Sequence, residues 1–416
     1  MFQAPRGTTD VLPVEQRLWR YFRARSEEAA SRFGYRRIET PIFEDARLFV
    51  RGIGEVTDIV EKETYTFEDR GGDLVTLRPE GTAPVCRAYL QHGMHNLPQP
   101  VRLYYTGPFF RYDRPQAGRY RQLHQFGVEA IGEADESIDS EVIELAWLLL
   151  ESVGIGRVSL MLNSIGDPEC RPGYIHRLQS YYRSRLDELG HEDCKRRLEN
   201  NPLRLLDCKN GSCQPLIAEA PGSVDSLCDA CAEHWHGLLE HLGTVSVPYQ
   251  IEKRLVRGLD YYSRTVFEIV PPGEGQQSTI VAGGRYDGLM EVLGGRPTPG
   301  IGFGMGIERV LAYLTSPDEP EDTGTKLLVA HMGKAPKTAA LALCSDLRRG
   351  GVTAVLAPSG RSLRSQLRYA SAIDATHAVI IGDRELEKRV VVLRDLARSE
   401  QQEVSADALL SMFETC

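Results

Sequence analysis

The spacing of apolar residues changes several times along this chain, and each change marks an element. Over residues 15–33, Leu18, Phe22, Ala29 and Phe33 recur at helical spacing among charged neighbours, which predicts an amphipathic helix. Residues 35–41 read as a strand stopped by Pro41. Aromatic and β-branched content predicts further strands over 101–110, 122–131 and 266–270. Residues 140–153, with Val142, Ala146, Leu149 and Val153 periodic and Asp139/Ser140 as the cap region, predict a second long helix. From 163 to 247 the chain turns charge-rich and helix-favouring, and it holds six of the nine cysteines. That stretch is expected to be a mainly helical insertion. An acidic, proline-bearing run over 315–325 reads as a linker. Beyond it strands over 326–330, 352–356, 377–381 and 390–393 alternate with helices over 336–349 and 363–372, the rhythm of a small α/β domain.

A length of 416 residues allows two or three domains, and 42% hydrophobic with 26% charged residues is ordinary for a globular protein. The formal charge of 49 − 58 = −9 excludes a global basic field, so any polyanion must be held by local patches. The longest apolar runs, such as Leu145-Ala-Trp-Leu-Leu-Leu150, are too short to span a bilayer, so no membrane partner is expected. The first twenty residues carry Arg6, Asp10, Glu15 and Arg17 without an apolar stretch. With an odd number of cysteines, this predicts reduced thiols and a cytoplasmic location.

Four segments carry chemistry. Residues 257–268, Arg-Gly-Leu-Asp-Tyr-Tyr-Ser-Arg-Thr-Val-Phe-Glu, set two arginines, an aspartate and paired tyrosines within eight positions. Burying such groups unpaired is costly, so a polar ligand is expected to complete their hydrogen bonds. Gly300-Ile-Gly-Phe-Gly-Met-Gly306 alternates glycine strictly; on a strand all four glycines share one face and would let a flat ring lie on backbone. Arg309 follows on the first turn of an expected helix, placed to meet a phosphate. Between two strand-like runs, Phe110 to Arg121 contains Arg111, Arg114, Arg119 and Arg121, a basic hairpin tip suited to phosphate. On the return strand Gln125, Gly127 and Glu129 share a face, and the glycine leaves a gap that would suit a small ligand. Leu77-Arg-Pro-Glu-Gly-Thr82 puts a carboxylate and a hydroxyl in a tight turn, which by itself reads as helix capping by Thr82.

Together these segments resemble the histidyl-tRNA synthetases, a class II aminoacyl-tRNA synthetase family, over essentially the whole chain. Arg36 to Pro41 is similar to the first class II motif, Phe110 to Glu129 to the second, and Gly300 to Arg309 to the third. Residues 257–268 and Ala282-Gly-Gly-Arg-Tyr-Asp-Gly288 match signatures specific to the histidine enzymes, while Asp113 stands where the family more commonly has glutamate. The resemblance implies an α+β catalytic domain over 1–325, built on a six-stranded antiparallel sheet flanked by helices and interrupted by the 163–247 insertion. It also implies an anticodon-binding α/β domain over 326–416 and a homodimer that uses the first motif.

The implied activity is histidine–tRNA ligation: L-histidine and ATP give histidyl-adenylate, and histidine then passes to tRNA(His). The implied roles place Arg111, Arg257 and Arg309 on the phosphates and the histidine carboxylate. Arg119, Gly302, Gly304 and Gly306 join the ATP site, with Mg²⁺ on the polyphosphate. Glu80, Gly81 and Thr82 would take the α-amino group, and Gln125, Glu129, Tyr261 and Tyr262 the imidazole. Arg114 and Gln116 would meet the tRNA acceptor end. Arg361, Arg364 and Arg368 would meet the anticodon stem, although a solvated charged face reads equally well. Cys208, Cys213, Cys228 and Cys231, spaced C-x₄-C-x₁₄-C-x₂-C, admit either a structural zinc or four reduced thiols; His234 and His236 are nearby alternative ligands that read rather as surface residues. The rival reading is a non-catalytic histidyl-synthetase-like regulatory subunit of histidine biosynthesis. Retention of Arg111, Arg257, Arg309 and a full C-terminal unit weighs for the enzyme.

Overall fold

A computed structural model describes residues 2–54, 57, 59–113, 120–190, 192–271, 279–314 and 326–413. The chain divides into two compact units, residues 1–317 and 318–416. The first begins with α1 (Gln16–Arg32), β1 (Arg36–Arg37), β2 (Phe43–Asp45), α2 (Ala46–Ile53), β3 (Tyr65–Glu68), β4 (Leu74–Leu77) and α3 (Thr82–Gln91). It continues with β5 (Val101–Phe110), β6 (Gln122–Ile131), α4 (Glu136–Ser152) and β7 (Ser159–Ser164). Helices α5 (Arg171–Arg183), α6 (Glu192–Asn200), α7 (Gln214–Glu219) and α8 (Asp229–Thr244) come next. The unit closes with β8 (Tyr249–Ile251), β9 (Ser263–Val270), β10 (Val281–Arg285), α9 (Leu289–Val292), β11 (Gly300–Gly306) and α10 (Ile307–Tyr313).

Eight strands form the main sheet in the order β1-β5-β6-β11-β10-β9-β7-β8. The six from β5 to β7 pair antiparallel, as expected. Two short parallel strands, β1 and β8, extend the edges. One face is a closed core: Phe126, Val128 and Ala130 of β6 and Ile301, Phe303 and Met305 of β11 are buried with Trp19 and Phe22 of α1 and Val142 and Leu149 of α4. Period-2 alternation sends the intervening residues to the opposite face, and that face carries the site.

Three expectations need correction. The strand expected over 35–41 pairs only at Arg36–Arg37, because the main chain beyond Ile38 turns to serve another group: Thr40 accepts from the Arg78 guanidinium at 2.9 Å through its carbonyl and 3.0 Å through its hydroxyl. Helix α4 starts earlier than predicted, capped by Asp135, which accepts from the Ser137 N–H at 2.9 Å. Asp139 is therefore no cap; it is a fully buried ion. Within the 163–247 stretch, α5, α6 and α7 enclose their own apolar cluster, which includes Tyr174, Leu178, Cys194 and Leu216. By contrast, α8 packs Trp235, Leu238 and Leu242 into the main core.

The second unit holds a five-stranded sheet, β13-β12-β14-β15-β16, made of β12 (Lys326–His331), β13 (Thr353–Leu356), β14 (His377–Ile381), β15 (Val391–Asp395) and β16 (Gln401–Val404). β12 pairs parallel with both neighbours, while β15 and β16 are antiparallel additions. Helices α11 (Lys334–Arg349) and α12 (Leu363–Ala372) lie where the apolar period set them. β16, the short α13 (Asp383–Lys388) and α14 (Ala406–Phe413) were not anticipated, being brief and polar or near the end of the chain. The linker residues 315–325 lie outside the described residues.

Candidate active site

The strand register makes a floor without side chains. Across the face opposite the core one row runs Tyr105, Gly127, Gly304, Ala282, Glu268; the next runs Leu103, Glu129, Gly302, Gly284, Val266. Gly304 and Ala282 of the first row line the cavity, so a substrate there lies close to the main chain. Above this floor is a cavity of about 720 Å³ whose wall includes Glu80, Gly81, Thr82, Arg111, Gln125, Arg257, Tyr261, Tyr262, Gly304, Gly306 and Arg309. Residues from five separate segments thus converge.

The glycine face divides in two. A Cβ at Gly304 or Gly306 would meet Gln125 and Arg309 only at ordinary contact distance, so these positions are open to the cavity. A Cβ on Gly302 would fall 2.0 Å from the Glu129 carboxylate, and one on Gly300 would fall 2.4 Å from the Tyr286 ring. Those two glycines make room for protein side chains, not for a ligand. The expected gap at Gly127 is likewise filled: the Tyr105 ring slots between Gly81 and Gly127, 2.3 and 2.4 Å from the Cβ either would carry.

Glu129 is wholly buried behind this wall. Its carboxylate accepts from the hydroxyls of Tyr286 at 2.6 Å, Thr82 at 2.8 Å and Tyr105 at 3.4 Å. Burial pushes its pKa up to about 8; the Tyr286 and Thr82 hydroxyls pull against that rise, and nearby Glu80 adds to it. The sign follows from linkage. A carboxyl that keeps its proton longer when folded adds no penalty below its ordinary value of 4.5, and the penalty grows until the folded group itself ionises near 8. Conformational stability should therefore decline between those pH values, and Glu129→Gln should flatten the decline. Urea unfolding across that range checks this, and an unaltered slope in the variant would count against it.

Glu80, not Thr82, caps α3. Its carboxylate accepts from the N–H groups of Thr82 at 2.7 Å and Ala83 at 2.9 Å, which frees the Thr82 hydroxyl for Glu129. The Tyr261 hydroxyl donates to Glu80 at 3.3 Å, and the Tyr261 ring lies 4.7 Å from Tyr262 and 6.0 Å from Tyr286. This aromatic and carboxylate cluster forms one end of the cavity.

The arginines form the other. Arg257 pairs with Glu268, which also accepts from Thr279 at 2.8 Å; the buried Arg257 Nε has no partner among the described residues. Arg111 is steadied by donating from Nε to the Pro79 carbonyl at 2.8 Å, and Arg309 by donating to the Thr279 carbonyl at 2.6 Å. Arg114, Gln116 and Arg119 lie outside the described residues.

Sequence reasoning missed Tyr105, Tyr286 and Glu268. Tyr105 had no signal, sitting in a strand rich in aromatics, whereas Tyr286 lay inside a quoted motif without a role. In that motif Arg285 is structural. Fully buried, it pairs with Asp139 and donates to the carbonyls of Glu133 at 2.9 Å and Asp135 at 3.1 Å. His234, expected on the surface, is buried and bonds Asp139 at 2.9 Å; His236 is exposed.

The four-cysteine expectation is corrected as well. Cys208 and Cys213 gather with Cys194, whereas Cys228 and Cys231 gather with Cys170 and Asp167. The first pair flanks a short turn within the small helical cluster, and the second begins α8 on the main core. Sequence proximity of the two pairs did not become spatial proximity.

A family model described as Histidyl-tRNA synthetase matches residues 7–169 and 174–310, spanning every segment of this cavity. The chain belongs to the histidyl-tRNA synthetase family. An anticodon-binding-domain model matches residues 326–415. The histidine–tRNA ligase of Dehalococcoides mccartyi (strain ATCC BAA-2266) is 54% identical over 415 residues, covering 99% of this chain and 98% of that protein. That of Desulforamulus reducens is 49% identical over 410 residues, covering 98% and 97%. The crystal structure of apo Staphylococcus aureus histidyl-tRNA synthetase superposes with a TM-score of 0.82 at 35% identity, covering 100% of both chains.

Proposed function

We propose that the glycine-floored cavity activates L-histidine with ATP and then passes the histidyl group to tRNA(His). The observation that carries this reading is the convergence of Arg111, Arg257 and Arg309 on one cavity beside the Glu129 cluster. Near-full-length identity to histidine–tRNA ligases supports the enzyme over a regulatory subunit. An ATP–pyrophosphate exchange assay tests both at once: exchange that depends on histidine is expected, and its absence in folded protein would return the regulatory reading.

In the first step a histidine carboxylate oxygen attacks the α-phosphorus, the bond to the bridging oxygen of the β-phosphate breaks, and pyrophosphate leaves. The nucleophile is already anionic at neutral pH, so no base is required. Catalysis reduces to positioning and to stabilising negative charge. Arg111 holds the α-phosphate and Arg309 the γ-phosphate. Arg257, oriented by Glu268, turns its unpartnered Nε to the histidine carboxylate and α-phosphate. Glu80 and Thr82 receive the α-ammonium group. When ionised, Glu129 has roughly four acceptor positions, three of them occupied; an imidazole N–H at the fourth would favour that form, with Tyr262 at the opposite end of the ring. In the second step a hydroxyl of the terminal ribose attacks the activated carbonyl, and AMP leaves.

Among the described residues, one group of three convergent ligands touches this cavity, the Cys194, Cys208 and Cys213 thiols, through Cys208; the others lie outside it. Of its carboxylates, Glu268 is engaged by Arg257, Glu80 by backbone N–H groups, Asp207 by Arg204 and Glu308 by His124. Among the described residues no three cavity carboxylates converge, so a Mg²⁺ ion would be held mainly by the polyphosphate whose charge it would neutralise. The three-stranded sheet β2-β4-β3 exposes Phe43 and Phe67 on one face, an apolar patch that supports a homodimer. Among the described residues no helix is long and apolar enough to cross a membrane. The reaction belongs where tRNA is charged, in the cytoplasm.

For tRNA, Arg361, Arg364 and Arg368 are all exposed. Arg361 precedes α12 and so is not on its face, whereas Arg364 and Arg368, one turn apart, share a shallow groove with Arg394. Changing Arg361, Arg364 and Arg368 to alanine should raise the KM for tRNA and lessen the slope of log affinity against log salt by about 2–3 units, one per lost phosphate contact. Pyrophosphate exchange should not change. An unaltered KM would leave these residues as surface charge.

A further inference from the structure

Away from the cavity, two short turns meet. Asp167-Pro-Glu-Cys170 leads from β7 into α5, and Cys228-Asp-Ala-Cys231 opens α8. Each presents two ligand atoms three residues apart, and the four atoms lie within 4.8 Å of one another. The Cys170 thiol is 3.6 Å and the Cys228 thiol 3.9 Å from Oδ1 of Asp167. Gly166, with φ +69°, lets the chain turn here; a Cβ on it would sit 2.6 Å from the Cys170 sulfur. The turn is therefore shaped around that thiol. We propose that Asp167, Cys170, Cys228 and Cys231 form a tetrahedral zinc site with three thiolates and one carboxylate.

The donor set decides the metal class. Three thiolates and a hard oxygen in a closed arrangement suit a structural Zn²⁺ better than the oxygen-loving cations. Loading exchanges three thiol protons for the ion, and those protons go to solvent. The resulting centre carries a charge of −2, from +2 for the metal, −3 for the thiolates and −1 for the carboxylate. Positive partners are in place. Arg264 lies 3.4 Å from Oδ2 of Asp167 and also faces Cys231. Arg171, next in sequence to Cys170, donates to the carbonyls of Gly166 at 3.0 Å and Tyr262 at 2.7 Å. The second contact ties the site to the main chain of a cavity tyrosine. The ion would pin the start of α8 and the entry to α5, and would brace the loop that carries Tyr262.

The test uses the full-length chain, stripped by chelator under reducing conditions and reloaded with ZnCl₂ or CoCl₂. After desalting, Cys228→Ser/Cys231→Ser is expected to retain one zinc per chain fewer than wild type, whether or not the separate Cys194 cluster takes a second ion. The cobalt form should show sulfur-to-cobalt charge transfer and tetrahedral d–d bands. Because the double variant could fail to fold, Asp167→Cys supplies an independent measurement: it keeps zinc and shifts the cobalt bands as oxygen is exchanged for sulfur. Wild-type retention below about 0.2 zinc per chain would overturn the site, as would equal zinc in wild type and a folded double variant. So would a cobalt spectrum that Asp167→Cys leaves unchanged.

Discussion

Glu129→Ala should abolish histidine-dependent pyrophosphate exchange, a loss of roughly 10⁴-fold or more, while the chain still folds. The size follows from what the side chain holds. One carboxylate collects the hydroxyls of Thr82, Tyr105 and Tyr286, all in the wall or directly behind it. Its removal leaves three donors without their acceptor, each costing about 1–3 kcal/mol where water cannot reach. It also removes the group that, in the proposed reading, distinguishes an imidazole from an apolar ring of similar size. Glu129→Gln separates these effects: it keeps the shape and one acceptor oxygen but brings an N–H₂ where the hydroxyls need lone pairs. The glutamine variant should lose less stability than the alanine variant and still lose most exchange. Near-normal exchange in folded alanine variant would refute the pocket assignment.

The second large effect is expected at Arg257. Alanine there should slow histidine activation by roughly 10²–10³-fold while weakening ATP binding only slightly, because in the proposed mechanism the guanidinium faces charge that builds up at the α-phosphorus in the transition state. Glu268 aims the group in advance, so its removal should give a smaller version of the same split. Pre-steady-state adenylate formation measured beside ATP affinity resolves the two quantities. Equal losses in rate and affinity would argue for a ground-state role instead. Lysine at 257 should restore little, since a single ammonium cannot serve Glu268 and two substrate oxygens through a planar fork.

The long strands and helices were legible in the sequence because their patterns are local. β5 and β6 begin and end at the predicted residues, and α1 does so within one residue at each end. The glycine alternation of β11 was legible for the same reason, as was Arg309 on the turn that follows. What escaped depended on pairs far apart in the chain. Asp139 looks like a cap until Arg285, 146 residues later, is found against it. Thr82 looks like a cap until Glu129 claims its hydroxyl across 47 residues. Gly127 promises space for a ligand until Tyr105 occupies it. The cysteines failed likewise, since spacing cannot say which pairs meet when each pair sits on a different core. A lone carboxylate beside a cysteine, Asp167 with Cys170, offers no motif until α8 brings the other two thiols to it.

The hydrogen atom of Gly302 is all that β11 sets against the Glu129 carboxylate, and a methyl group there would fall on it. A substitution at this position would therefore disturb the buried acid while leaving the open floor at Gly304 and Gly306 untouched. Giving up a side chain on one strand is the condition for keeping an acid on its neighbour.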